Sequence, residues 1–520
     1  MVMARMGTSV QSIRCLRSLC KEGRLEEALR VAEFMVKQEI DLSTGIMYFL
    51  LKECTRRKDL AAGRRVRFLI ASSGLESNCF LINHLICLFA SCGSLEEAVQ
   101  AFRKAFNKDN HMWTSIMSMH NKHGQGAEAI ELYRELRQSD LKPDGYTFAT
   151  ALNACASIGA LKEGKLIHAD ILTSQVEVDE FLGSTLVDMY AKCGSINQAL
   201  REFSRLPKRD AVSWTAMISG YTQHGYALEA LQLFDEMQLK GLKADSVTFL
   251  SILKACAMTK ALEQGKLIHA QIMGTGLGLN ASIGNALVDM YAKCGDVDGA
   301  RRVFMNLQKR DVVSWNVMIT GCVQHGLCHE ALNLFMKMQD HGFQPNQVTF
   351  MCILKACSSI GALEQGKYVH TQLTKYRLDS NPLVGSSLVD MYAKCGNMDQ
   401  AQEVFMKLKD RDVVTWTAMI DGYAQQGQSQ EAVKFYHEMV EEGVKPNKVT
   451  FLCVLSACCH GGLMTEGYDI FHSMHDSFGI TPMMEHYTCL VDLFGRGGNL
   501  HQAQHFIDTS ILRSDMSVQA

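Results

Sequence analysis

From Ala281 to Asp311 the apolar residues Ile283, Leu287, Met290 and Cys294 fall at i, i+4, i+7 and i+11, the stripe along one face of an α-helix. Gly295 follows, a residue suited to the left-handed turn that stops a helix, and Asp296 stands where a cap for the next helix belongs. A second stripe, Val297, Ala300, Phe304 and Leu307, then points inward. The pattern predicts a helical hairpin. Gly93-Ser94, Gly194-Ser195 and Gly396-Asn397 are the same stop-then-cap pair elsewhere in the chain. Pro143, Pro345 and Pro446 mark the turn at which the chain leaves a second helix, and Ala244 takes that place once.

The hairpin recurs. All four tryptophans, Trp113, Trp214, Trp315 and Trp416, are 101 residues apart, as are the three YAKCG strings at Tyr190–Gly194, Tyr291–Gly295 and Tyr392–Gly396. Each block divides into units of 35, 35 and 31 residues, as in Ala211–Asp245, Ser246–Asn280 and Ala281–Asp311. The same lengths tile Ser9 to Asn447, and Lys448–Met483 and Met484–Asp515 complete fifteen units between a leading segment, 1–8, and a tail, 516–520. A lone hairpin cannot bury its apolar stripe, whereas stacked neighbours bury it continuously. The expectation is an all-α fold: about thirty helices wound as a right-handed superhelical solenoid with one concave face.

Composition narrows the ligand more than the fold. The chain has 520 residues, 47% hydrophobic and 21% charged, too apolar for disorder, and lacks the run of roughly 18 apolar residues a membrane helix needs. A net charge of −3 confines any nucleic-acid site to a local groove. The 19 cysteines contain no CxxC; Cys92, Cys193, Cys294 and Cys395 share one register and Cys54, Cys155, Cys256, Cys357 and Cys458 another. One cysteine per unit at a helical interior position reads as a small core residue, so neither metal nor cofactor is expected. His168, His269 and His370, and likewise His123, His224 and His325, repeat in register and are expected to pack between units. Residues 1–21 lack Asp and Glu and carry Arg5, Arg14, Arg17 and Lys21, a composition that fits an organellar transit segment and the plain start of a repeat equally.

Trp214 is followed by TAMISGY, which does not fit the tetratricopeptide pattern. Strings such as DVVSWNVMITGCVQHG, EALNLFMKM and GFQPN instead resemble the plant pentatricopeptide repeat. The alternation of lengths resembles that family's PLS subclass, and HYTCLVDLFGRGG resembles its terminal short repeat. The resemblance covers nearly the whole chain. It implies binding of single-stranded RNA in a mitochondrion or chloroplast, many members selecting cytidines for conversion to uridine, with one base read per repeat by the fifth and last residues.

Chemistry supports part of that code. An ionised Asp only accepts hydrogen bonds, so it suits the ring N–H of guanine or uracil, whereas Asn can donate to the bare ring nitrogen of adenine or cytosine. In the family the other position pairs a hydroxyl with purines and Asn with pyrimidines. Carried over, Asn83 with Asp109 and Asn285 with Asp311 imply U. Thr114 with Asp144, Ser184 with Asp210, Thr215 with Asp245, Ser386 with Asp412 and Thr488 with Asp515 imply G. Asn316 with Asn346 implies C or U, and Thr417 with Asn447 implies A. Tyr48, Ala149, Leu250, Met351 and Leu452 lack a polar reader, and Ile13 with Ser43 is silent. The expected footprint is UGnGGnUYnGAnG, with the readers lining the inside of the coil. Each Asp, Asn, Ser or Thr is also a common helix cap or turn residue. The resemblance further implies that Val212, Val313 and Val414 clamp bases, while Lys192, Lys293 and Lys394 are placed to meet phosphate or to favour a helix C-terminus.

No catalytic constellation emerges. Zinc deaminases carry HxE followed by CxxC, and neither occurs; nor does a P-loop or GxSxG. Editing relatives carry a deaminase (DYW) domain after the repeats, whereas this sequence ends five residues beyond Asp515. The expectation is a non-enzymatic RNA-binding protein that directs editing by a cytidine deaminase acting in trans, belongs to a longer chain, or serves RNA stabilisation or splicing. A protein-binding helical scaffold is the reading from another class.

Overall fold

The computed structural model describes residues 16, 18, 19, 22, 24–38, 40, 42–105, 108–276, 280–378, 381–499, 501, 503 and 504. Ile13 and Asp515 lie outside them. The described residues form 28 α-helices and no strand. Two compact units, residues 1–259 and 260–520, divide the chain. Within each unit, helical hairpins stack as a repeat solenoid: the first helix of a hairpin packs on the first helix of the next, making an inner layer, and the second helices make the other. In the first unit one hairpin is Ala211–Gln223 with Ala227–Leu239; in the second, Val413–Gln425 pairs with Ser429–Glu441.

The stop signals act as the sequence suggests. Gly295 has φ +89° and Gly194 and Gly396 φ +79°, the left-handed conformation that a Cβ disfavours. The caps that follow are less uniform. Asp296 and Asn397 accept from the backbone N–H of Gly299 and Gln400 at 2.7 and 3.1 Å, but Ser94 and Ser195 make no such bond. The backbone is alike at all four sites, ψ lying between 61° and 77°, so the reach of the side chain decides. A hydroxyl is one bond shorter than a carboxylate or amide oxygen, and that of Ser195 turns to Gln198 instead.

The core follows the stripes. Ile283, Leu287 and Met290 are fully buried, as are Cys54, Cys155, Cys256, Cys357 and Cys458. The second cysteine register departs from expectation: Cys92, Cys193, Cys294 and Cys395 are half-buried C-cap residues. The Cys193 and Cys395 thiols point at the carbonyls of Cys155 and Cys357, 3.6 and 3.8 Å away, so they seal a helix end against the preceding hairpin. His168, His269 and His370 pack between hairpins as expected, Nδ1 lying 2.9–3.0 Å from the hydroxyls of Tyr190, Tyr291 and Tyr392. His224 and His325 reach the Lys192 and Ala292 carbonyls of the preceding hairpin, but His123 folds onto its own helix at Met119.

The inner layer depends on close approach. A Cβ built on Gly220, Gly321 or Gly422 would stand 2.5, 2.7 or 2.6 Å from the Cβ of Ala191, Ala292 or Ala393. These alanines belong to the YAKCG strings. The 31-residue hairpins 180–210, 281–311 and 382–412 are therefore each locked to the next by an alanine set against a glycine, whereas Met119 stands in the glycine's place after hairpin 79–109.

Candidate nucleic-acid interface

Each last residue of a unit begins as a helix cap. Oδ1 of Asp109, Asp144, Asp210, Asp245, Asp311, Asn346, Asp412 and Asn447 accepts from the backbone N–H three residues on, at 2.8–3.1 Å. The cap fixes the carboxylate or amide at the mouth of the first helix, where all but the half-buried Asp210 are exposed. The ordinary capping role thus holds for all eight, and it orients them without occupying every acceptor or donor.

The fifth residue of the same unit comes to the same place. Ser184 and Ser386 Oγ donate to Asp210 and Asp412 Oδ1 at 3.3 and 3.4 Å, and Asn316 Nδ2 donates to Asn346 Oδ1 at 3.0 Å. Asn285 Nδ2 lies 3.5 Å from Asp311 Oδ1. Thr114, Thr215 and Thr417 meet their partners through a third side chain, the hydroxyl at the third place of the following unit. Thr147, Thr248 and Thr450 lie 3.0, 2.7 and 2.7 Å from those fifth residues and donate to Asp144, Asp245 and Asn447 at 2.7, 2.7 and 3.2 Å. Thr349 and Thr415 do the same at Asn316 and Ser386.

Sequence reading missed these hydroxyls, although a signal exists: Asp or Asn followed three residues later by Ser or Thr at each of these sites. Where the fifth residue is apolar, as at Tyr48, Ala149, Leu250 and Met351, the third place holds Leu81, Leu182, Ile283 and Val384. Asn83 and Leu452 are the exceptions, with Met112 and His486 at that place; Asn83 Oδ1 is buried without a partner, as is Asn285 Oδ1. Thr488 is exposed and bonds the Met484 carbonyl.

One expectation needs correction. Apart from Thr488, the fifth residues do not stand open: Asn83, Ser184, Asn316 and Ser386 are at most 7% exposed, and Thr114, Thr215, Asn285 and Thr417 are half-buried. The fifth place lies on the flank of the first helix that faces the next hairpin, so these side chains sit in the seam. Their edges still reach open space. In the second unit Ser386, Asp412, Val414, Thr417, Asn447 and Lys394 line one groove of ≈ 1000 Å³.

Val212, Val313 and Val414 are 64%, 54% and 58% exposed, so they are not packing residues. The same second place is exposed and apolar at Phe80, Tyr146, Phe181, Val247, Val348, Leu383 and Val449, which sequence reading passed over. Tyr146 and Phe181 face each other with ring centroids 5.7 Å apart. Lys192, Lys293 and Lys394 are ion-paired one turn back to Asp188, Asp289 and Asp390, each at 2.8 Å. Each compact unit therefore offers apolar faces and oriented polar edges, and these ion-paired lysines add little uncompensated positive charge.

Burial acts to raise the Asp311 carboxyl, but the Ser314 backbone N–H and hydroxyl and the Asn285 amide outweigh it and hold the group below its usual value. It stays ionised and accepts only. Among the described residues no three His, Cys, Asp or Glu side chains gather to hold a metal, and no helix is long and apolar enough to cross a membrane.

The PPR repeat family pattern matches residues 108–157, 209–258, 310–359 and 411–460, and the PPR repeat pattern matches 15–40, 285–312, 386–413 and 449–477. A mitochondrial pentatricopeptide repeat-containing protein of Arabidopsis thaliana is 34% identical over 503 residues, covering 96% of this chain and 73% of its own. A chloroplastic one from the same plant is 35% identical over 495 residues, covering 95% of this chain and 61% of its own. Across eight of the similar curated proteins of Arabidopsis thaliana the chain spans between 50% and 82% of their length, and 66% of one that is 35% identical over 453 residues. Among solved structures, the maize pentatricopeptide repeat protein PPR10 in complex with an 18-nt psaJ RNA element aligns over 96% of this chain and 84% of its own, with TM-score 0.65 and 17% identity.

Proposed function

Since this chain belongs to the pentatricopeptide repeat family, we propose that its groove binds single-stranded RNA and that it acts in RNA processing in a mitochondrion or chloroplast. The more specific role is site recognition for C-to-U editing by a deaminase acting in trans. The observation that carries the reading is the repeated meeting of fifth and last residues at the groove, with an exposed apolar side chain beside them. Apolar faces stack on any base, and fixed polar edges select among bases. The maize relative's complex with RNA supports the same ligand class.

The footprint that follows is UGnGGnUYnGAnG, with Y for either pyrimidine and n for any base. At Asn83 and Asn285 the paired carboxylates of Asp109 and Asp311 only accept hydrogen bonds, which suits the N3–H of uracil. The test is a gel shift with this RNA against one carrying A at each G. A preference for the first of at least tenfold is the expected result, since a well-read base contributes about 1–3 kcal/mol. Equal binding would sink the base code, and no binding at moderate salt would leave a protein-binding scaffold as the better description.

A further inference from the structure

We propose that the buried hydroxyl at the third place of the following unit is a positioning residue for base reading. It sets which way the fifth-place hydroxyl points its proton, and with the cap residue it thereby decides between guanine and adenine. This rests on the base-reading proposal above.

The number of hydroxyl protons and acceptors at each site sets the direction. Thr147, Thr248 and Thr415 are at most 1% exposed, so they never touch RNA themselves. Each has one hydroxyl proton. Beside Asp144, Asp245 and Asp412 that proton goes to a carboxylate oxygen at 2.7, 2.7 and 2.6 Å, a group that only accepts. The third-place oxygen then has only lone pairs for the fifth residue, 3.0, 2.7 and 2.6 Å away at Thr114, Thr215 and Ser386. Thr114 and Ser386 have a second inward acceptor, the Asn110 or Pro382 carbonyl, each at 2.8 Å. Their protons stay inside, and lone pairs face the groove. That lone pair and the carboxylate beside it together suit the two donors of guanine, N1–H and N2–H, and repel the bare N1 of adenine. At Ser184 the outcome is the same by a shorter route, because the serine donates straight to Asp210.

A cap of Asn changes the count. Asn447 is neutral, and Thr450 sits 3.2 Å from its Oδ1 against 2.7 Å at Asp245. The Thr450 proton is free to turn to Thr417, 2.7 Å away. Thr417 has then lost Thr450 as an acceptor and keeps only the Val413 carbonyl at 2.6 Å, whereas Thr114 and Ser386 keep two, so its proton can swing to the N1 of adenine. One threonine at the fifth place thus serves two purines, and the buried hydroxyl transmits the choice made by the charge of the cap.

The experiment measures binding of the full chain to four RNAs that differ only at the fifth base of the footprint, the one facing Thr215 and Asp245. Wild type should prefer G over A, and Asp245→Asn should prefer A. Thr248→Val keeps the shape and loses the hydroxyl; it should cut the G-over-A ratio at least fivefold, and adding Asp245→Asn should no longer reverse the preference. Thr248→Ser should restore both. A Thr248→Val protein that keeps the wild-type ratio, even with weaker binding to all four RNAs, overturns the inference, because only a structural role would then remain. Absence of any wild-type preference at this base defeats base reading instead. Should Thr248→Val fail to fold, Thr147→Val read at the second base gives the same decision.

Discussion

Replacing Gly220 by Ala tests whether the inner layer is held by close approach. Its Cβ would stand 2.5 Å from the Cβ of Ala191 and 3.2 Å from its Cα, against about 3.5–4.0 Å for carbon atoms in unstrained contact. The helices Glu180–Lys192 and Ala211–Gln223 must then part by about 1 Å, and overpacking of that kind costs about 1–3 kcal/mol. Against this, alanine is the better helix former by about 0.5–1 kcal/mol. The balance is a net loss of about 0–2.5 kcal/mol. Gly495, also helical but with nothing within 4 Å of a built Cβ, is the control, and Gly495→Ala should gain about 0.5–1 kcal/mol. Urea denaturation gives the sign, and amide exchange should quicken first at those two helices, since a repeat array loses stability interface by interface. In an Ala191→Gly background the 2.5 Å contact is gone and only the 3.2 Å approach to the backbone remains, so Gly220→Ala should cost clearly less or become neutral. Stabilisation by Gly220→Ala in the wild-type background, or failure of Ala191→Gly to relieve its cost, would refute the packing argument.

Three further outcomes follow. Burial holds the His168 and His269 imidazoles below their ordinary value, so the unfolded chain takes up protons first; their contribution is complete above about pH 6.5 and fades as pH falls through the folded value. Replacing both by Asn should flatten the fall in melting temperature between about pH 7 and 5, and an unchanged slope would contradict this. Arg310 donates to the carbonyls of Phe304 and Met305 at 3.1 and 2.8 Å while its guanidinium lies 5.0 Å from the Phe304 ring centre. Arg310→Lys cannot keep both bonds and should cost about 1 kcal/mol in urea denaturation, an argument that fails if the midpoint does not move. Asp289→Asn releases Lys293 from its ion pair and should steepen the salt dependence of RNA binding by about 0.7 in log–log slope, whereas an unaltered slope would remove Lys293 from the phosphate path.

Much of the fold is legible in one unit of sequence because its signals are local. A 3.6-residue stripe, a glycine that must take positive φ and a period of 101 residues each survive without knowledge of distant contacts. The candidate readers were legible for the same reason, since register places Thr215 and Asp245 at equivalent points of every unit. What register cannot convey is the direction in which a side chain leaves the helix and what it meets there. Ser195 was expected to cap and does not, its side chain being one bond too short for that backbone. Ser386 was expected in the open and is 6% exposed in the seam between hairpins. Phe80, Tyr146 and Phe181 drew no reading from the sequence and are exposed.

The amino-acid order by itself determined that this chain is a stack of helical hairpins, and which positions are equivalent from one hairpin to the next, because periodicity and caps are written within a few turns of helix. Only the tertiary structure decided how those positions are used. A threonine 33 residues away completes the contact between Thr215 and Asp245, and an alanine in the previous hairpin fixes how near the next may come. Both depend on the distance between neighbouring helices, which stacking alone sets.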